Sequence, residues 1–539
     1  MSSPPRRRHK RACVEEIHGA EGRTQQRLPE LDAPSVDKGL RVSSAETKAQ
    51  TCEDDDICQG APNARQYLEL DKLPEDMLHH IHSLLPLQDA ARAACVSRGF
   101  LRSWRCYSNL ILNWQTLRST DDKFEGRETR YINKIDKILN NYSENGMKVK
   151  KLRIDLLWCI SSIASYLDRW LQIAIKSRIN ELSLSLPTSM KEKYCFPYSV
   201  LFDETNTSPI ESIYLFDCIF HPIETLGCFK RLKSLDLVYV HITEDGLQQL
   251  LSKSSGLERL QICSAIICLK IPFTLQKLKF LMVTRWYEMQ AIEISAPNLS
   301  TFHYIGSPVE ISIRYPSQLK DVYLASFVPS RILSYGRANL PFIARHVERL
   351  TLISCGENVN TPMLPDKLLH LKSLGIRLYR SRDSPIYDIF SVVSFLDASP
   401  ALESFILHVE RDYIINDCVT GDDLYASGES AYQHDRLKRV KIMGFHSAKS
   451  LIKLVIHILG SAPSLESLTL DTTGGRKPGD AGKCTASGES HKCCCMSERD
   501  VEYADRAVEA AGRYIFGRVP SAVQFEVLEP CRRCYAGNR

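Results

Sequence analysis

One short apolar phrase recurs through most of this 539-residue chain and constrains what it can fold into. Its form is apolar, two variable residues, apolar, one variable residue, apolar. It appears as Val149/Leu152/Ile154, Ile179/Leu182/Leu184, Ile210/Ile213/Leu215, Leu232/Leu235/Leu237 and Leu257/Leu260/Ile262. It continues as Leu278/Leu281/Val283, Leu299/Phe302/Tyr304, Leu319/Val322/Leu324, Val347/Leu350/Leu352 and Leu371/Leu374/Ile376. The final copies are Leu402/Phe405/Leu407, Leu437/Val440/Ile442 and Leu465/Leu468/Leu470. About thirteen copies at intervals of roughly 20 to 35 residues have the period of a stacked, one-dimensional array. Each copy is a short strand that cannot bury its own apolar side, so neighbours must stack to make a continuous core.

The helix half of a unit is clearest near the end. Leu451, Leu454, Val455, Ile458 and Leu459 share one helix face, with Ser447 placed to cap it, Gly460 to end it and Pro463 to prevent its resumption. An earlier unit has the same layout, with Phe390, Val393 and Leu396 before Ser399-Pro400 and the strand Leu402–Leu407. The array therefore predicts an α/β solenoid with parallel strands on its concave face. The alternative is a set of unrelated α/β strands, since leucine-rich phrases arise easily. Polar stretches Asp412–Arg436 and Gly474–Ser497 interrupt the array as loops. After them, Glu498–Tyr514 reads as a helix with Val501, Ala504, Val508 and Ala511 inward, and Ala522–Leu528 as a strand. These would cap the open end of the stack.

Ahead of the array, Leu70–Leu112 has a different grammar. Leu73-Pro74 opens a helix, with Glu75 and Asp76 favourable at its positive start. Leu78, Ile81 and Leu85 recur at helical spacing and Pro86 stops the run. Asp89 is placed to cap a second helix through Val96, and Phe100, Leu101 and Trp104 mark a third. Three short helices cannot build a large core, which leaves apolar surface for a partner. This stretch resembles an F-box: Leu73-Pro74-Glu75-Asp76, Leu78, Ile81, Leu85-Pro86-Leu87, Asp89 and Val96-Ser97 fall in the family's order. Where the family often has Trp after Val-Ser, this chain has Phe100, with Trp104 one turn later. The plainer alternative is a helical hairpin with a proline break. The resemblance implies binding to the Skp adaptor of a Skp–cullin–F-box ubiquitin ligase, through Leu73, Pro74, Leu78, Ile81, Leu85, Pro86, Leu87 and Val96. Some of these must instead hold the module together.

An F-box followed by irregular leucine-rich repeats is similar to the large plant, especially grass-type, F-box/leucine-rich-repeat family, and the phrases SAPSLESLTLDT and VPSAVQFEVLEPCRRC strengthen the likeness. The implied function is a non-catalytic substrate receptor: the F-box docks the adaptor, and through it a cullin, while the repeats hold a protein target. The rival expectation is a repeat-based binding module uncoupled from degradation. The expected order is a disordered tail (1–66), the F-box (67–112), a helical linker (113–148), the repeats (149–473), a flexible loop (474–497) and a cap (498–539). In the linker, Arg127–Leu139 is expected to be helical, with Ile132, Ile135, Ile138 and Leu139 on one face.

Composition excludes several classes. With 44% hydrophobic and 25% charged residues the chain reads as globular, and a net charge of +5 is too balanced to argue for nucleic acid. Lys150, Lys151, Arg153, Glu181, Lys233 and Asp236 on the strand phrases are mixed in sign, so no basic strip is expected. No apolar run reaches membrane-spanning length, and no apolar signal core follows the first basic residues, so a membrane or secretory destination is not expected. Arg6, Arg7, Arg8, Lys10 and Arg11, around His9, read equally as a nuclear import signal or a solvated tail, which leaves nucleus and cytoplasm as expected compartments. Of the 19 cysteines, Cys95, Cys159, Cys218, Cys263 and Cys355 sit singly in apolar segments and read as reduced core residues.

Catalytic signatures are missing: no phosphate loop, no GxSxG elbow and no HExxH occur. Cys531-Arg-Arg-Cys534 with Cys484, His491 and Cys493–Cys495 is at most an irregular zinc set, because three adjacent cysteines lack a spacer. No metal or cofactor is assigned. His79, His80 and His82 lack i,i+4 metal spacing and are expected to be exposed or partner-facing.

Overall fold

A computed structural model describes residues 73–530 except 86, 105, 118–125, 160–162, 191, 203–207, 223–226, 264–265, 267, 286–288, 358–360, 380–387, 411–431 and 474–495, and except the side chains of Val96 and Val200. The basic cluster, both loop interruptions (bar their ends) and the cysteine-rich segments fall outside these residues.

The first elements among the described residues are α1 (Glu75–Leu84), α2 (Leu87–Val96) and α3 (Arg98–Trp104). Pro74 is the N-cap of α1 rather than its first helical residue, and Leu85 is extended (φ −76°, ψ 144°), as crowding by a following proline requires. Asp89 lies inside the first turn of α2 and pairs with Arg92 at 3.2 Å, so it favours the helix start by charge rather than as a cap.

Next come β1 (Asn109–Leu112), α4 (Trp114–Leu117), α5 (Arg127–Glu144), β2 (Lys151–Asp155), α6 (Ala164–Lys176), β3 (Glu181–Ser185), β4 (Ser212–Phe216) and β5 (Ser234–Val238). The middle holds α7 (Glu244–Ser252), β6 (Arg259–Cys263), β7 (Cys268–Thr274), β8 (Phe280–Thr284), β9 (Ala291–Ser295), β10 (Thr301–Ile305), β11 (Glu310–Arg314) and β12 (Asp321–Pro329). The last part holds α8 (Ile332–Ile343), β13 (Arg349–Cys355), β14 (Ser373–Tyr379), α9 (Val393–Asp397), β15 (Ser404–Val409), β16 (Arg439–Met443), α10 (Lys449–Ser461), β17 (Ser467–Asp471), α11 (Glu498–Tyr514) and β18 (Gln524–Leu528).

Every copy of the repeated phrase lies on one 15-stranded parallel sheet, ordered β1-β2-β3-β4-β5-β6-β8-β10-β12-β13-β14-β15-β16-β17-β18. The apolar positions stack in register: Leu235 on Leu260, Leu260 on Leu281. They join the helix faces in one buried core, where Trp170 of α6 and Leu451, Leu454 and Val455 of α10 are fully buried. β1 extends the sheet ahead of the first phrase, and β18 closes it behind the last. Ahead of β18, α11 turns Val501, Ala504, Ala507, Ala510 and Ala511 inward and leaves Val508 half-buried. α10 starts at Lys449 with Ala448, not Ser447, at its N-cap.

Between β6 and α8 the outer layer changes. There β7, β9 and β11 form a second, three-stranded parallel sheet, ordered β11-β9-β7, in place of helices. Among the five core cysteines expected above, Cys159, Cys218 and Cys263 are buried and Cys355 is half-buried, but Cys95 is exposed, because it falls on the outer side of α2.

A charged spine runs along the strand starts. The residue after each phrase's first apolar position bonds its backbone to the next: Lys233 N–H donates to the Glu211 carbonyl, Glu258 to Lys233, and Lys279 to Glu258, each at 2.8 Å. The signs largely alternate, so Lys233 meets Glu211 at 2.8 Å, Lys279 meets Glu258 at 2.7 Å, Lys372 meets Glu348 at 2.9 Å and Lys438 meets Glu466 at 2.9 Å. Hydrogen bonds from these lysines hold the carboxyls of Glu211, Glu258, Glu348 and Glu466 below the usual range. A carboxyl with a lowered folded pKa contributes stability above its unfolded pKa of about 4.3 and loses it as pH falls through the folded value. Thermal melts should therefore stay level from pH 7 to about pH 5 and decline below that. Because exposed pairs are screened, the acid decline should shrink in 1 M salt. A decline equally steep at both ionic strengths would remove the spine from the account.

Candidate functional site

The three-helix module is built around a buried histidine. His82, expected at the surface, is 1% exposed, and its ring lies 5.2 Å from Phe100, 6.0 Å from Trp104 and 5.6 Å from Tyr107. Its Nε2 lies 2.9 Å from the Ala90 carbonyl of α2 and donates to it. Helix geometry explains the burial: Leu78 and His82 are one turn apart on the inner side of α1. The Tyr107 hydroxyl donates to the Leu85 carbonyl at 3.0 Å, and the Tyr142 hydroxyl of α5 donates to the Tyr107 carbonyl at 3.1 Å. Burial raises the pKa of both phenols, so both remain donors at neutral pH. The module is thus bonded to the start of the repeats. A cavity of about 350 Å³ beside this joint is lined by His79, His80, Ser103, Tyr107 and Lys150 among others.

The structure sorts the sequence-derived adaptor residues. Leu78 and Leu87 are buried and hold the helices together. Leu73, Ile81 and Leu85 are half-buried and Pro74 is exposed. Pro86 and the Val96 side chain are outside the described residues. The outward apolar stripe of α1 is Met77, Ile81 and Leu84, spaced four and three residues apart, with Met77 51% and Leu84 71% exposed. Leu101 of α3 is also exposed. Met77, Leu84 and Leu101 are missing from the sequence-derived set. Helical offset alone does not find them: 77, 78, 84 and 85 all lie three or four residues from Ile81, and the packing of α1 against α3 decides that 78 turns inward while 77 and 84 stay out. An apolar stripe on a small module fits a protein partner.

A second surface lies on the bare face of the main sheet. Register aligns Gln261, Met282, His303, Tyr323, Thr351 and Gly375 in one row across six strands. Met282, Ile305, Ala325 and Ile353 make a small apolar cluster separate from the main core, with Phe280, Tyr323 and Tyr379 packed on it. His303 stands between Phe280 and Tyr323 at 5.1 and 5.2 Å. The Arg259 guanidinium lies 4.0 Å over the Phe280 ring and 3.5 Å from Asp236. Burial pushes the His303 and His408 imidazoles down, so both are neutral at pH 7. The centre of this face is therefore aromatic and uncharged, with Asp236 and Arg259 on one side and Arg377 and Lys441 on the other. Aromatic centres with charged borders suit recognition of a protein.

Among the described residues, one set of metal-ligating side chains converges, Asp397, His434 and His457, away from both surfaces. No described helix is long and apolar enough to cross a membrane.

Comparison with known proteins agrees with both halves. Residues 70–111 match the family model of the F-box domain, and residues 138–532 match that of the At1g61320/AtMIF1 LRR domain. The chain is similar to the F-box/LRR-repeat protein At5g02910 of Arabidopsis thaliana, 23% identical across 74% of this chain and 87% of that one. It is also similar to the putative FBD-associated F-box protein At5g53635 of the same plant, 26% identical across 75% of this chain and 95% of that one.

Proposed function

The chain belongs to the plant F-box/leucine-rich-repeat proteins, and from that premise we propose that it is the substrate-recognition subunit of a Skp–cullin–F-box ubiquitin ligase. The module's outward stripe of Met77, Ile81 and Leu84 binds a Skp-family adaptor and through it a cullin. The aromatic face around His303 and Tyr323 holds a protein target. The subunit is a non-catalytic receptor: it brings the target to the ligase and leaves ubiquitin transfer to other subunits. The observation that carries this reading is the division of labour in one chain. The module keeps its exposed apolar stripe although it is bonded to the repeats through Tyr107 and Tyr142. A repeat module uncoupled from degradation would have no use for that stripe.

The test is co-purification. Tagged protein should bring down adaptor and cullin from plant cells, and purified adaptor should co-elute with it. A well-folded chain that binds no adaptor would favour the uncoupled module. Tyr323→Ala should keep adaptor binding and lose target, by roughly tenfold or more if Tyr323 is an anchor of the interface. Proximity labelling in wild type and variant would list the proteins that depend on this face, and identical lists would move the target site elsewhere. The chain is proposed to work in the nucleus, the cytoplasm or both. A fluorescent fusion with Arg6, Arg7, Arg8, Lys10 and Arg11 replaced by alanine tests the nuclear part.

A further inference from the structure

We propose that Asp397, His434 and His457 form a binding site for one divalent transition-metal ion, zinc by its donor set, that fastens the chain entering β16 to helices α9 and α10. The three residues come from separate elements. Asp397 is the last residue of α9, His434 precedes β16, and His457 sits in α10. Their ligand atoms all lie within 4.8 Å of one another. His434 Nε2 and Asp397 Oδ1 are 3.5 Å apart, with side chains 4% and 8% exposed.

Zinc binds nitrogen and oxygen at about 2.0–2.2 Å, which puts two ligands of a tetrahedral ion about 3.3 Å apart. The His434–Asp397 pair already has nearly that separation, and the third ligand atom, on His457, lies within 4.8 Å of both. Two imidazoles and a carboxylate leave one coordination position for water, as zinc sites with three protein ligands do.

Each of the three inward atoms, His434 Nε2, His457 Nε2 and Asp397 Oδ1, is buried and has no hydrogen-bond partner among the described residues. Buried polar atoms are satisfied as a rule, and an orphan costs about 1–3 kcal/mol. Here three orphans face one point. A simple His434–Asp397 ion pair does not resolve them, because 3.5 Å is long for a charged hydrogen bond and His457 would remain unpartnered.

The surroundings fix the ligands. The His434 backbone N–H donates to the Ser461 carbonyl at 2.7 Å. The His457 ring meets Phe390 edge to face at 5.8 Å. Of the two nearby cations, Lys367 is turned to the Asp397 backbone carbonyl at 2.8 Å and the Tyr432 ring at 4.4 Å, and Arg337 donates to the backbone carbonyls of Ser394 and Leu364.

The test uses the full chain, stripped with chelator and titrated with Co2+ and then Zn2+. The expected result is one equivalent of cobalt with visible d–d bands and no thiolate-to-cobalt charge transfer, displaced by zinc. Asp397→Asn keeps the side-chain volume and should weaken this binding at least tenfold, since even outer partners of ligands are worth 10–100-fold. His434→Gln should do the same. As a second readout, the wild-type unfolding midpoint should rise with zinc concentration, as for any ligand of the folded state. Unchanged cobalt bands in a folded Asp397→Asn chain, charge-transfer bands from cysteine ligands alone, or a midpoint indifferent to zinc would each overturn the proposal.

Discussion

Ile81→Asp is expected to abolish binding of a Skp-family adaptor while leaving the repeat array folded. Ile81 is half-buried on α1 between exposed Met77 and Leu84. Docking a partner on this stripe would bury an aspartate there, and a carboxylate placed in an apolar contact without a cation costs several kcal/mol. Loss of about 2–4 kcal/mol corresponds to roughly 30- to 1,000-fold in affinity. Ile81 is partly packed, so the variant also stresses the module. Leu84→Asp separates the two effects. At 71% exposure Leu84 supports little internal packing, so its variant should keep the melting midpoint of the parent and still lose adaptor. Isothermal titration of both variants with purified adaptor, alongside circular dichroism melts, checks the result. Full affinity in Leu84→Asp would move the adaptor surface off α1.

Gly444→Ala should destabilise the repeats by about 3 kcal/mol or more. Gly444 turns the chain between β16 and α10 with φ +74°, a left-handed conformation that costs an L-residue about 1–2 kcal/mol. A Cβ added there would lie 1.9 Å from the carbonyl oxygen of Val409 on neighbouring β15, far inside contact distance. That oxygen belongs to the sheet backbone and cannot swing aside. The turn cannot retreat either, since Phe445 N–H donates to the Asp471 carbonyl at 2.9 Å and His446 Nδ1 meets the Gly444 carbonyl at 2.9 Å. Gly460→Ala is the control: it lies in α10 with nothing within 4 Å of its added Cβ, so it should be neutral or stabilise by up to about 1 kcal/mol. Urea unfolding of the two variants should separate them in opposite directions. Similar midpoints would mean the β16–α10 turn is looser than its contacts require.

The repeat half was legible because its information is local. Each phrase carries its own strand signal, and apolar residues at fixed offsets leave one choice of inward face. The capping helix and strand after residue 497 were legible for the same reason. The second sheet was not foreseen: Leu269/Ile271, Ile292/Ile294 and Ile311/Ile313 carry a two-residue alternation, but pairs that short do not stand out from loop sequence. The adaptor residues were only half legible. Leu78 and Ile81 are three apart on one helix and look alike as letters, and only the packing of α3 against α1 sends one inward and leaves the other out. His82, expected to be exposed or partner-facing, is buried because of an aromatic cage that nothing in its neighbours announces, closed by Phe100, Trp104 and Tyr107, 18, 22 and 25 residues later.

By itself, then, the sequence determined the stacked parallel sheet and the helical module ahead of it, because periodic burial is written residue by residue. Only the tertiary structure decided which apolar side chains of the module face outward, which strand positions meet in the aromatic face, and that Asp397, His434 and His457 converge. Those depend on contacts between elements 20 or more residues apart, and pattern along a chain does not encode distance across a fold.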